Sequence, residues 1–152
     1  MITGVRIALD VGSVRIGVAK CDAQGLLATP VTTISAGPEA VDKVLSLLQD
    51  YEAICVYVGK PIGLAGNDTA STQSAIKFAG EIAARLVNSN TQIRLIDERL
   101  STVTAQRGMQ EAGRDVRQSR DAIDQAAAVV ILEHALASER NSGTLVGEEV
   151  KL

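Results

Sequence analysis

Two aspartates occur where the surrounding residues predict buried secondary structure in this chain of 152 residues. Asp10 stands inside an apolar first strand, although aspartate is depleted in strands and costly to bury unpaired. Asp124 lies inside the last predicted helix, on the same face as Ala128 and Ile131. A carboxylate at either place has no local capping task, so both are candidates for chemistry.

A third acidic position closes the fifth predicted strand with Asp97 and Glu98. The ends of parallel strands are where α/β folds deliver functional groups. The residues alone leave open which of the two acts, and whether this is only a solvated strand end with an ion pair to Arg99. Asp121 has a structural explanation, because an acid in a first helical turn favours the helix dipole.

Three clustered carboxylates would repel one another unless cations held them ionised. Mg²⁺ prefers oxygen ligands and keeps several waters, which leaves room for phosphate oxygens, and Mn²⁺ is the alternative. Two such ions about 3.5–4 Å apart can activate water and stabilise the leaving oxygen of a phosphodiester. The pattern therefore predicts a metal-dependent nuclease. The single histidine, His134, is interpreted as a helix-surface residue.

Two regions could contact phosphate. Gly12 and Gly17 bracket the first hairpin and would let its backbone approach a phosphate, with Ser13 and Arg15 as donors. The second region, residues 99–120, has a local charge of about +3 although the whole chain is −3. A solvated arginine-bearing surface is the alternative for this region. Its arginines are Arg99, Arg107, Arg114, Arg117 and Arg120.

The elements that must position these residues follow from apolar patterns and turn residues. Strands are predicted at 5–11, 15–21, about 27–34, 53–58 and 92–98. Helices are predicted from 37–39 onward, at 71–88, from 101 or 102 to about 112, and at 119–138. A loop is predicted at 59–68.

This order predicts an α/β fold with a mixed five-stranded sheet flanked by helices. Three leading strands are antiparallel, and the later ones are parallel because helices connect them. Such an arrangement is ribonuclease H-like. Residues 1–139 are predicted to form a single nuclease domain, and residues 140–152 a flexible tail.

Four segments resemble successive motifs of the YqgF family, also called RuvX. They are residues 9–19 (LDVGSVRIGVA), 58–61 (VGKP), 97–102 (DERLST) and 124–133 (DQAAAVVILE). The family consists of bacterial ribonuclease H-like proteins described as Holliday junction resolvase homologues and pre-16S ribosomal RNA nucleases. The resemblance covers about residues 4–136.

By this resemblance, the catalytic and metal-binding acids fall on Asp10, Glu98 and Asp124. Lys60 stands in a loop position that is commonly apolar in the family, so the loop is expected to bind phosphate. The implied substrates are pre-16S rRNA, in 5′-end processing during ribosome biogenesis, and four-way DNA junctions. Junction resolution needs two active sites. A homodimer is therefore expected if the substrate is a four-way junction.

Cellular context and rival functions complete the expectations. No apolar stretch approaches the ~20 residues of a membrane span, and no targeting segment opens the chain, so a reducing cytoplasm is expected. Cys21 and Cys55 are interpreted as reduced core residues, with a disulfide left open. The rival functions are a non-catalytic RNA-binding factor in ribosome maturation or transcription and, from the first hairpin, an actin-like nucleotide-binding domain.

Overall fold

The computed structural model describes residues 2–61, 66, 68–97 and 116–151, without the side chains of 116–121. The apolar, β-branched runs of the sequence form strands as expected. They are β1 (Arg6–Val11), β2 (Arg15–Cys21), β3 (Ala28–Ser35), β4 (Cys55–Lys60), β5 (Gln92–Asp97) and β6 (Glu148–Glu149).

Three helices accompany the sheet in the described residues: α1 (Ala40–Asp50), α2 (Ala70–Arg85) and α3 (Val116–Ser142). Thr69 caps α2, because its side chain accepts from the Thr72 backbone while the Thr72 hydroxyl accepts from the Thr69 backbone. No helix in the described part of the chain is long and apolar enough to cross a membrane.

The sheet has the strand order β3-β2-β1-β4-β5-β6. The first three strands pair antiparallel, and β4 and β5 join them in parallel. Strand β6 then pairs antiparallel with β5. The predicted mixed topology is confirmed, and the strand count is six rather than five.

Alternation along the strands divides the core into two layers. One face of the sheet carries bulky residues such as Ile7, Leu9 and Val18 and packs against α1 and α2. The opposite face packs against α3 and carries smaller residues such as Ala8 and Ala19. Because these side chains are short, α3 can lie close to β1, β2 and β3.

The C-terminal region differs most from its prediction. Helix α3 begins at Val116 and ends at Ser142, where residues 119–138 were expected. The segment predicted as a flexible tail folds back on the sheet, where Glu148 and Glu149 pair with Leu95 and Arg94. Such a short strand leaves no periodicity in the sequence, and its neighbours hold it in place. The predicted helix 101–112 lies outside the described residues.

Cys21 and Cys55 are both buried and free. Arg6 lies between them, since its backbone N–H donates to the Cys21 sulfur and its register partner in β4 is Cys55. The Cα atoms of the two cysteines are therefore separated by two strand spacings of about 4.8 Å each. Their sum exceeds the ~7 Å that a disulfide can bridge between Cα atoms. The reduced interpretation is therefore the correct one.

Candidate active site

Asp10 lies in a row of residues that crosses the sheet on the face covered by α3. In the antiparallel register Asp10 is opposite Gly17, and Gly17 is opposite Thr33. Directly opposed residues project to the same face. In β4, on the other side of β1, Val58 pairs with Leu9, so the next residue, Gly59, lies beside Asp10. Asp10 therefore stands between two positions that have no side chain, Gly17 and Gly59.

Helix α3 crosses this row directly over Gly17. A Cβ atom on Gly17 would be 1.9 Å from the carbonyl oxygen of Asp124, so only glycine permits the approach. The next residue, Gln125, donates from Nε2 to the Thr33 hydroxyl at 3.0 Å. Since opposed residues in a sheet lie about 5 Å apart, the backbone of Asp124 is roughly one strand spacing from Asp10.

Arg15 contacts the second of these aspartates, Asp124. It opens β2 on the same face, where its Nε donates to Asp124 Oδ2 at 2.8 Å. The two side chains are 32% and 20% exposed, so this ion pair remains in contact with water. The hairpin before it closes through a bond from the Gly12 N–H to the Arg15 carbonyl at 2.9 Å, and Ser13 is exposed at its tip.

Two predicted participants lie on the opposite face of the sheet. Strand β4 extends through Lys60, which was expected in a loop, and alternation from Val58 directs Lys60 towards the α1/α2 side. There Lys60 Nζ pairs with Glu148 Oε2 at 3.6 Å. Asp97 is exposed and, by alternation from Leu95, belongs to the same side.

The remaining predicted positions cannot be placed in the site. Glu98, Arg99, Arg107 and Arg114 lie outside the described residues. Arg117 and Arg120 are in α3, but their side chains are not described. Of the predicted site residues, the structure thus brings together Asp10, Arg15 and Asp124, with Ser13 at the hairpin nearby.

The oxygen donors that are placed suit a hard divalent cation. Asp10 and Asp124 supply carboxylates from a strand and a helix on one side of the sheet. Mg²⁺ commonly takes one or two protein carboxylates and fills its other positions with water and phosphate oxygens. No group of three or more metal-ligating side chains occurs among the described residues. The fit therefore rests on these two carboxylates.

A second polar cluster was not predicted and lies farther along α3. Arg6 Nη2 pairs with Glu139 Oε1 at 2.6 Å, and the Tyr57 hydroxyl donates to Glu139 Oε2 at 2.5 Å. Burial raises the pKa of Tyr57 far above its usual range, as do the nearby Cys55 and the bond to Glu139. The hydroxyl therefore stays protonated. No local pattern in the sequence indicates this cluster, because Arg6 and Glu139 are 133 residues apart.

Gly17 has a different task from the one predicted for it. Its lack of a side chain was expected to admit a phosphate, whereas the structure uses it to admit the backbone of α3. Thr33 and Gln125 were missed entirely, because their pairing joins residues that are far apart in sequence. The sequence has no pattern that links them.

Residues 4–138 match the family model described as "RuvX: Holliday junction resolvase". A protein of Leifsonia xyli subsp. xyli is 41% identical over 153 residues, covering 99% of this chain and 97% of that protein. A Streptomyces avermitilis protein is 44% identical over 151 residues, covering 98% and 96%. Both carry the name "Putative pre-16S rRNA nuclease". These matches confirm the resemblance that the four motifs indicated.

Two solved structures share the fold. The RuvC of Thermus thermophilus in complex with a Holliday junction substrate superposes with a TM-score of 0.60 at 16% identity, covering 96% of this chain and 99% of that one. The fowlpox virus resolvase, also with Holliday junction DNA, gives 0.56 at 14% identity and covers 88% and 97%. At such low identity they establish the fold alone, and they confirm the ribonuclease H-like prediction.

Proposed function

Because the chain belongs to the RuvX Holliday junction resolvase family, and is therefore a nuclease that hydrolyses phosphodiester bonds, we propose that Asp10, Glu98 and Asp124 form its catalytic centre. The observation that carries this proposal is the contact between α3 and Gly17. It brings Asp124 next to the strand position opposite Asp10, although the two acids are more than a hundred residues apart in sequence.

Glu98 is favoured over Asp97 as the third acid by the two faces of β5. Ile96 packs with the residues beneath α3, while Leu95 packs on the side of α1 and α2. Asp97 follows the alternation of Leu95 and so belongs to the side away from Asp10 and Asp124. This supports the assignment that the family motif suggested.

Asp10, Glu98 and Asp124 would hold Mg²⁺, with Mn²⁺ as a substitute. When bound, the metal would activate water for attack on phosphorus and stabilise the leaving oxygen. The protein's own part is to fix the carboxylates. The β1–β2 ladder holds Asp10, while Gly17 and the Gln125–Thr33 hydrogen bond hold the α3 backbone at Asp124. Rigid positioning of this kind is what a metal-assisted reaction requires of its ligands.

The natural substrate is proposed to be folded RNA, namely pre-16S rRNA at its 5′ end, which would place the reaction in the cytoplasm. The names of the relatives support this choice. Four-way DNA is the second substrate, supported by the family description. If four-way DNA is the substrate, we expect a homodimer, since resolving a junction takes two incisions.

Phosphate contacts are assigned to two regions. Ser13 at the exposed hairpin tip and Arg15 beside Asp124 lie at the site. Arginines of residues 99–120 would extend the contact along the nucleic acid, which predicts binding that weakens steeply with salt. Lys60 is a weaker candidate, because it lies on the other face and is paired with Glu148.

The test compares wild type with Asp10→Asn on pre-16S rRNA, a four-way DNA junction and duplex DNA, with and without Mg²⁺. We expect Asp10→Asn to lower cleavage by more than about a hundredfold, since even the outer partners of metal ligands are worth 10- to 100-fold. Asp42→Asn is the matched control, because it neutralises an exposed aspartate, paired with Arg85, in α1 on the other side of the sheet.

Three results would contradict the proposal in different ways. Undiminished cleavage by Asp10→Asn would remove Asp10 from the centre. Loss of cleavage in Asp97→Asn but not in Glu98→Gln would make Asp97, and not Glu98, the third catalytic acid. Salt-sensitive RNA binding without any metal-dependent cleavage of the three substrates would favour a non-catalytic factor.

A further inference from the structure

The ion pair between Arg15 and Asp124 occupies a carboxylate that the proposed function assigns to a metal. Arg15 Nε lies 2.8 Å from Asp124 Oδ2, in a direct charge-assisted hydrogen bond. A Mg²⁺ ion on the same carboxylate would sit about 2.1 Å from its oxygen. The guanidinium group and the ion would then be only a few ångströms apart, where like charges repel strongly.

The surroundings of the pair allow it to open. The Asp124 backbone is fixed against Gly17 and cannot follow a moving side chain. Arg15, in contrast, is the first residue of β2 and directly follows the exposed hairpin tip of Ser13 and Val14. Its side chain is about one-third exposed. A long, partly solvated arginine can leave its partner at small cost, since ion pairs of this exposure contribute little.

We propose that Arg15 competes with the catalytic metal for Asp124 and, once displaced, turns to the substrate phosphate. Arg15 is thus a positioning residue that exchanges Asp124 for a phosphate. It neutralises Asp124 while the metal is absent, and it supplies a fork of donors suited to a phosphate when the metal is present. This inference rests on the proposed function, because it requires Asp124 to be a metal ligand.

The test measures Mn²⁺ binding without any cleavage reaction, through the loss of the free-ion electron paramagnetic resonance signal. Four variants are compared with wild type after their folding is verified by circular dichroism: Arg15→Gln, Arg15→Lys, Asp124→Asn and Arg85→Gln. Arg85→Gln is the matched control, because Arg85 forms the other arginine–aspartate pair of the described chain, with Asp42 on the far side of the sheet.

We expect Arg15→Gln to bind Mn²⁺ about two- to fivefold more tightly than wild type, which is the range that a partly exposed ion pair supports. Arg15→Lys should fall between the two, because it keeps the charge but not the guanidinium geometry. Arg85→Gln should match wild type. Unchanged or weaker Mn²⁺ binding in Arg15→Gln would overturn the competition.

Asp124→Asn separates the two proposals. If it weakens Mn²⁺ binding while Arg15→Gln has no effect, Asp124 is a ligand and only the competition fails. If Asp124→Asn binds Mn²⁺ as wild type does, the proposed metal centre itself loses this ligand. Tighter binding in Arg15→Gln together with weaker binding in Asp124→Asn supports both.

Discussion

Among the described residues, two arginine–carboxylate pairs join helix α3 to the sheet, and their surroundings differ. At one end, Arg6 pairs with Glu139 at 2.6 Å, and the side chains are 3% and 4% exposed. At the other, Arg15 pairs with Asp124 at 2.8 Å, with 32% and 20% exposed. We call these the closed end and the open end. Their contrast separates an interaction that holds the fold from one that is available to chemistry.

The closed end is sealed because each of its polar groups has a partner. Glu139 accepts from Arg6 and from the Tyr57 hydroxyl. Arg6 also donates to the carbonyl oxygens of Gly4 and Ala23. The Tyr57 oxygen in turn accepts the N–H of Val146, which connects the cluster to the segment before β6. Buried charges are tolerated only when they are satisfied in this way.

At the open end the ion pair is only partly buried. Glycines flank Asp10 on its face of the sheet, and α3 contacts the sheet through its backbone at Gly17. A partly solvated arginine–carboxylate pair contributes little to stability. It can, however, exchange its cation, which a sealed pair cannot do. The comparison therefore predicts that stability depends on the closed end and cleavage on the open end.

The largest effect on stability is expected from Arg6→Met. This substitution leaves the Glu139 carboxylate buried without its cation, which typically costs about 3–5 kcal/mol. Urea unfolding followed by circular dichroism measures the loss, and cleavage per folded molecule should stay near wild type. Arg15→Met is the same substitution at the open end and should cost less than about 1 kcal/mol. Equal losses in the two variants would contradict the distinction between the ends.

Gly17→Ala is expected to come next and to affect both properties. The added Cβ would meet the Asp124 carbonyl oxygen at 1.9 Å, so the α3 backbone must shift. Overpacking of this kind costs about 1–3 kcal/mol, and a displacement of about 1 Å at a catalytic group can cost roughly a hundredfold in rate.

Gly80→Ala provides the control for Gly17→Ala. Gly80 lies inside α2, and a Cβ there would meet nothing within 4 Å. Replacing a helical glycine by alanine should stabilise by about 0.5–1 kcal/mol. If Gly17→Ala cleaves as well as wild type at full stability, the close approach of α3 does not position Asp124.

The open end was partly predictable from sequence and the closed end was not. Asp10 and Asp124 stand out because a charge interrupts an apolar strand and an apolar helix face. Arg6 does not stand out, since a lone arginine at the start of a strand is usually solvated, and its partner Glu139 is 133 residues away. Pairings between distant residues follow from the fold and have no local pattern.

The same reason explains the other differences from prediction. β6 has two residues and is held by tertiary contacts, including bonds from Arg94 to the carbonyl oxygens of Val146 and Gly147. Lys60 lies in a strand instead of the predicted loop because β4 extends two residues further than its apolar run indicates. The order of the elements along the chain and the mixed character of the sheet, in contrast, follow from local patterns, so they could be predicted.

A pH dependence tests how well the closed end excludes water. Burial raises the pKa of the Cys55 thiol from 9.0 to about 12. A group whose folded pKa is raised contributes stability that is complete below its unfolded pKa and is lost as the pH rises towards the folded value. Raising the pH from 8 to 10 should therefore lower the free energy of unfolding by about 1 kcal/mol, because the Cys55 thiol ionises more readily in the unfolded chain.

Cys55→Ala should remove that part of the alkaline loss, whatever it does to stability at neutral pH. The measurement is urea unfolding of both proteins at pH 8, 9 and 10, compared as slopes. Identical slopes in wild type and Cys55→Ala would show that the thiol ionises freely in the folded state. The closed end would then be open to water.

The smallest effect on stability is expected from Asp124→Asn, and there the two ends should differ most clearly. The amide keeps the shape of the side chain, and a partly exposed ion pair contributes less than about 1 kcal/mol, so urea unfolding should barely change. Metal-dependent cleavage should nevertheless be lost, because an amide is a poor substitute for an ionised ligand of a hard cation. If Asp124→Asn instead lost 3 kcal/mol or more, as a buried pair does, its pair with Arg15 would be structural like that of Glu139. Cleavage would then have to depend on other acids beside Asp10.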